Sequence, residues 1–208
     1  MQKRWFPVRS YDETDLMPQA NRNRKFLGLI GNTGLFSLTE TEDTQRQKKI
    51  MEFYDAYAAS LYKYLRGLGL AKEESEDAIQ ECFLRLASHL MEGAEDLNLR
   101  SWLFQVAHNL SMDVHRKNRR DRATTEPASE VLIEPIDPNS DPEDLYLRKE
   151  AMQRANEAMT QLTPKQRHGV LLRAQGLRYM EIATVLGVSE SRAIYLVKRA
   201  LLRLAEGL

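Results

Sequence analysis

Apolar residues return at intervals of three and four over long stretches of this chain. That spacing puts them on one face of an α-helix. Ile50, Phe53, Tyr54, Tyr57, Leu61 and Leu65 form the first such row, and it predicts a helix from about Gln47 to the glycines at 67 and 69. Ile79, Phe83, Leu86 and Leu90 form the second, predicting a helix over Lys72 to Leu90 that Gly93 closes. Leu103, Val106, Leu110 and Val114 form the third. Its predicted start is Ser101, a residue type that caps helix N-termini. Short breaks join these three helices, so they predict one bundle.

The period resumes near Asp144, with Met152, Ala155, Met159 and Leu162 in one stripe. Thr163-Pro164-Lys165-Gln166 reads as a helix start. Threonine can cap, proline suits the first helical position, and glutamine completes a capping box. That helix is expected to end near Gly176, and two more follow, Tyr179–Leu186 and Glu190–Leu204, separated by Gly187-Val188-Ser189. No strand-like alternation of any length appears, nor an internal repeat. Residues 1–45 lack the period and are broken by Pro7, Pro18, Gly28, Gly31 and Gly34, which predicts a flexible extension. Residues 121–147 hold Pro127, Pro135, Pro138 and Pro142 and no apolar row, which predicts an extended linker. The expected fold class is all-α, with two small helical domains, 46–120 and 148–208, joined by that linker.

Charge changes the picture. Lys plus Arg and Asp plus Glu both number 30, so the net charge is zero, which argues against a simple basic DNA-coating protein. The distribution is uneven. Arg100–Arg122 holds six Lys/Arg against two Asp, Ala123–Leu147 holds seven Asp/Glu and no Lys or Arg, and Ala151–Leu208 holds nine Lys/Arg against four Glu. Two cationic segments therefore flank an acidic one, as expected of two nucleic-acid-facing surfaces joined by a segment that avoids DNA. Cys82 is the only cysteine, so no disulfide framework or Cys-rich zinc site can form within the chain. His89, His108, His115 and His168 show no metal-ligand spacing, and neither a phosphate loop nor a nucleophile motif is present. No cofactor, metal or enzymatic activity is expected. The longest apolar run near the N-terminus, Phe26–Ile30, is too short for a membrane span or a signal core, so a cytoplasmic protein without membrane insertion is expected.

Two stretches carry candidate chemistry. Residues 179–198 fit a helix-turn-helix, with small Ala183 at the crossing, Gly187 at the turn and Ser189 as a cap. The second helix of such a motif offers its N-terminal half to the major groove. Its outward residues are Glu190, Ser191, Arg192, Ile194 and Tyr195, with Lys198 and Arg199 further along. Arg192 can reach a guanine edge or a phosphate, whereas Lys198 and Arg199 suit phosphates. A helical hairpin in a structural bundle has the same local pattern. In the helix from 101 to 120, a 100° step puts Trp102, Gln105, Asn109, Asp113, Arg116 and Arg120 on one polar face, with Lys117 and Arg119 beside its cationic end. Cations for phosphates, an amide for base edges and an aromatic for stacking suit a nucleic-acid strand. A core Trp and a dipole-favoured cationic end would look similar.

Together the motifs resemble a known family. Glu76-Asp77-Ala78-Ile79-Gln80-Glu81-Cys82-Phe83-Leu84-Arg85-Leu86 resembles conserved region 2.2 of sigma factors. Trp102 to Asn109, with Asp113 and Arg116, resembles the family's regions 2.3–2.4. Leu162 to Arg167, Glu181-Ile182-Ala183 and Leu186-Gly187-Val188-Ser189 resemble region 4, and the linker stands where region 3 would be. This is the layout of extracytoplasmic-function (ECF) sigma factors. The resemblance implies an alternative sigma factor that binds bacterial core RNA polymerase and opens promoter DNA. Asp77, Gln80 and Glu81 would dock on the β′ clamp helices. The Trp102–Arg120 face would engage the −10 element, with Asn109 taking an extruded base. The helix-turn-helix would meet the −35 element and the β flap, and the acidic linker would thread toward the polymerase active centre. It also implies an anti-sigma partner, and nucleoid association when polymerase is bound. The recognition helix departs from the family pattern: Ile194 and Leu196 replace a customary Lys and Arg, Arg192 stands at a Thr position, and Arg178 replaces a capping Ser/Thr. A sigma-like regulator or decoy that does not itself initiate transcription is the alternative.

Overall fold

The structure is a computed structural model, and it describes residues 40–92, 98–121, 150 and 153–207. Among these residues every regular element is helical. Helix α1 is Glu40–Gly67, α2 is Lys72–Met91 and α3 is Leu99–Asp121. Helix α4 covers 153–160, α5 Pro164–Ala174, α6 Tyr179–Leu186 and α7 Glu190–Gly207. The extension up to residue 39, Gly93, Met152 and nearly all of the expected linker lie outside the described residues.

The predicted apolar rows become the core of α1–α3. Leu61, Tyr64 and Leu65 on α1, Cys82, Phe83 and Leu86 on α2, and Leu103, Phe104 and Ala107 on α3 are all buried. Each large apolar side chain here contributes about 1.5–3 kcal/mol. Tyr64 and Phe104 meet edge to face, with ring centroids 5.8 Å apart. In the second set, Met159, Leu162 and Ala200 form a buried cluster, and Leu172, Leu177, Ile182, Ala193 and Val197 are buried beside them.

Three helices start by one device. An acceptor side chain in the first turn takes the backbone N–H of the residue before the helix. Glu74 Oε2 accepts from Ala71 at 2.8 Å, Gln166 Oε1 from Thr163 at 3.0 Å, and Glu181 Oε2 from Arg178 at 2.6 Å. That is how Arg178 serves at a position where Ser or Thr would be expected.

Two expectations need correction. Helix α1 begins at Glu40, earlier than its apolar row, so the expected flexible extension to residue 45 already overlaps helix. Ser101 is not the cap of α3. The turn is made by Asn98 in the left-handed region (φ 78°), and α3 starts at Leu99. Ser101 lies buried in the first turn and donates its hydroxyl to the Asn98 carbonyl at 3.0 Å.

The two helix sets belong to one compact unit, Gln45–Leu208, and meet along a seam. Arg100 on α3 donates to the Gln175 carbonyl at 2.9 Å and lies 3.8 Å from a Glu181 carboxylate oxygen. Its guanidinium sits 5.8 Å from the centre of the Tyr57 ring. His108 on α3 meets His168 on α5 edge to face at 5.1 Å. At the end of α1, Gly67 admits Leu171 so closely that a Cβ there would lie 2.7 Å from a leucine methyl.

Candidate nucleic-acid interface

Helix α3 divides its sides between two tasks. Its buried side, Leu103, Phe104 and Ala107, fills the core. Arg100 and His108 face the seam. The Tyr64 hydroxyl lies 2.9 Å from His108 Nδ1, and His115 Nε2 lies 3.0 Å from the Leu68 carbonyl. Burial holds His108 below the usual imidazole range. Burial pushes His168 down to about 4, helped by the charges of His108, Arg167 and His115.

The third side is the expected polar row. Asn109, Asp113, Arg116, Lys117, Arg119 and Arg120 are exposed, while Gln105 and Trp102 are half-buried. Asp113 holds Arg116 at 3.3 Å, which tempers the positive charge in the middle of the row. Lys117, Arg119 and Arg120 leave a cationic end. Asn118 ties that end to α2 by donating to Glu74 Oε1 at 2.9 Å.

Trp102 is neither core nor free. Its indole stacks on the His89 imidazole of α2, with centroids 4.5 Å apart and planes within 2°. The two rings line a shallow groove with Glu81, Leu84, Arg85, Ser88 and Glu92. Asp77 and Gln80 are exposed on the same helix, and Glu81 pairs with Arg85 at 2.7 Å. The two rows anticipated on α2 and α3 therefore adjoin through one groove. His89 escaped sequence reasoning, because a histidine on the half-exposed side of an amphipathic helix carries no local signal.

The helix-turn-helix is built as expected. Gly187 takes φ 60° at the turn, Ser189 Oγ accepts the Arg192 N–H at 3.3 Å, and Ala183 is buried at the crossing. Leu196 is core, whereas Ile194, expected on the outward face, is half-buried and so only partly open to a partner. The outer surface of α7 passes to Glu190, Ser191, Arg192, Tyr195, Lys198 and Arg199, all exposed. Tyr195 is 54% exposed, and the Arg192 guanidinium sits 5.2 Å from the centre of its ring.

A helical bundle bearing an outward polar and cationic helix, followed by a helix-turn-helix, is the arrangement expected of a DNA-reading adaptor. Comparison with known proteins agrees. Sigma-70 region 2 matches residues 53–121, and Sigma-70 region 4 matches residues 152–204. The ECF RNA polymerase sigma factor SigX of Bacillus subtilis is 29% identical over 143 residues, covering 67% of this chain and 73% of SigX. SigL of Mycobacterium tuberculosis, another ECF sigma factor, is 31% identical over 160 residues, covering 74% of this chain and 87% of SigL. Among solved structures, the sigma factor RpoE in complex with the anti-sigma factor NepR from Bartonella quintana shares the fold. Its TM-score is 0.61 at 22% identity, over 77% of this chain and 96% of that one. The chain belongs to the sigma-70 family, among its ECF RNA polymerase sigma factors.

Proposed function

We propose that this chain serves as an alternative sigma factor whose promoter-melting surface is the outer row of α3. The observation that carries this is that row itself: Asn109 stands exposed between a ring-stacked Trp102 and a cationic end at Lys117, Arg119 and Arg120. An amide can read a base edge, an aromatic can stack on a neighbouring base, and cations hold the phosphates. In this reading Gln105 and Asn109 receive a base drawn from the duplex. Flipping it costs a few kcal/mol, which the contacts offset. Asp77, Gln80 and Glu81 dock on the β′ clamp helices of the polymerase, Glu81 through an ion pair that must exchange partners. The α7 surface binds the −35 element and the region 4 helices meet the β flap. The acidic segment 123–147 threads toward the polymerase active centre. An anti-sigma factor is expected as a further partner, in keeping with the complex of RpoE with NepR. The polymerase makes every bond, so no residue of this chain is assigned a catalytic role.

The test is reconstitution with sigma-free core polymerase on a genomic fragment library. Specific transcripts are expected. Core binding without transcripts overturns this reading in favour of a decoy, which the apolar Ile194 and Leu196 would suit. DNA binding without core binding leaves an independent regulator. Asn109→Ala is expected to lower open-complex formation while leaving core binding intact. Equal loss of both removes Asn109 from its role.

A further inference from the structure

We infer that Arg192, laid over the Tyr195 ring, reads a guanine in the upstream promoter element and is this chain's main specificity contact there. The inference rests on the reading of α7 as the −35 helix. It goes further by naming the base and the residue pair.

Residues 192 and 195 are one turn apart and share the outer side of α7. A ring beneath a guanidinium holds its face and leaves its edge free, because the N–H donors lie in the plane of the group. Several other arginines spend those donors, and Arg119, Arg120, Arg178 and Arg199, which do not, have no ring beneath them among the described residues. Arg116 pairs with Asp113 at 3.3 Å, Arg85 with Glu81 at 2.7 Å, and Arg173, which also lies over a tyrosine, donates to the Leu177 carbonyl at 2.8 Å. Among the described residues no carboxylate lies within 4.0 Å of Arg192, and its side chain makes no hydrogen bond. It is oriented without being consumed.

Position selects the base edge over the phosphate. Arg192 lies in the first turn of α7, whose backbone is pinned where its own N–H meets Ser189 Oγ. The N-terminal turn of a recognition helix enters the major groove, and further cations flank it. Lys198 and Arg199, about two turns on, suit those flanking phosphates. In the major groove only guanine offers two acceptors, O6 and N7, matched to a planar fork. Tyr195 is a positioning residue whose ring, not its hydroxyl, is required.

The test uses the full chain with core polymerase and a promoter library randomised over the upstream element. The native chain is expected to enrich guanine at one position by roughly 5- to 150-fold over other bases. Arg192→Ala is expected to flatten that position alone. Tyr195→Leu is expected to weaken the preference and Tyr195→Phe to preserve it. With 7-deazaguanine at that position, which lacks the N7 acceptor, initiation by the native chain is expected to fall at least fivefold, with no change for Arg192→Ala. A loss with Arg192→Ala that is uniform across all sequences makes the residue a phosphate contact and overturns the inference. So does a preference unchanged by Tyr195→Leu. If the native chain supports no transcript from any template, the sigma reading fails first and this inference falls with it. Transcripts that show no guanine preference sink this inference alone.

Discussion

Acidification should loosen the seam between the two helix sets, and its size follows from one imidazole. His168 is held at about 4 in the closed seam, against 6.5 for a solvated imidazole. A lowered imidazole pKa means that closure favours the neutral ring. The open state binds more protons between these values, so closure is firmest above pH 6.5 and weakens as pH falls toward 4. For this group alone, full solvation on opening would lower the closure constant by roughly an order of magnitude between pH 7 and pH 5, about 1–2 kcal/mol. His108 is lowered too and adds in the same direction. The titratable and charged groups that face His168 are His108 and His115 from α3 and Arg167 from its own helix, with the Tyr64 hydroxyl behind His108. Dyes on cysteines placed at the exposed positions Glu76 and Leu202 would report the distance between the helix sets over a mild urea series, while far-UV circular dichroism confirms that the helices persist. The opening midpoint should move to lower urea at pH 5. His168→Gln, which cannot titrate, should remove most of the shift. A midpoint that does not move between pH 7 and pH 5, or moves equally in His168→Gln, refutes the linkage.

Three further outcomes are expected. Arg100→Met deletes a charged hydrogen bond to the Gln175 carbonyl and the pair with Glu181, and should weaken closure by about 1.5–3 kcal/mol in the same dye assay, with the helices of α1–α3 still formed although the contact with Tyr57 is lost. Gly187→Ala meets no atom within 4 Å of its new methyl but must hold φ 60°. It should cost about 1–2 kcal/mol, read as a lower urea midpoint with unchanged slope. The Cys82 thiol, buried and pushed up to about 12, should resist a thiol reagent at pH 8 in the native chain and react promptly once the chain is denatured.

What the sequence discloses here is what is local. The outer row of α3 was legible because six residues recur at a helical spacing. The turn before α7 was legible because Gly187 and Ser189 each answer a backbone need within four residues. The start of α3 misled because serine at 101 looks like a cap, whereas Asn98 makes the turn three residues earlier. The seam was not legible at all. Arg100 meets Gln175 across 75 residues, and His108 meets His168 across 60. Each of these side chains, seen alone, is an ordinary member of a helix. The same holds for His89 under Trp102: the stack exists only because α2 and α3 lie side by side.

Helix α3 also has no slack in its register. His108 serves the seam and its immediate neighbour Asn109 serves the outer row, so the two surfaces are one helical step apart. One residue inserted between Arg100 and His108 would turn every later side chain by 100° relative to Arg100. Amide and cations would swing away from their surface, and the seam would lose its imidazole. Evolution can therefore vary the letters along the outer row without disturbing the seam. It cannot change the number of letters between Arg100 and Arg120 without breaking both surfaces at once. Length, more than residue identity, is what drift within this helix must preserve.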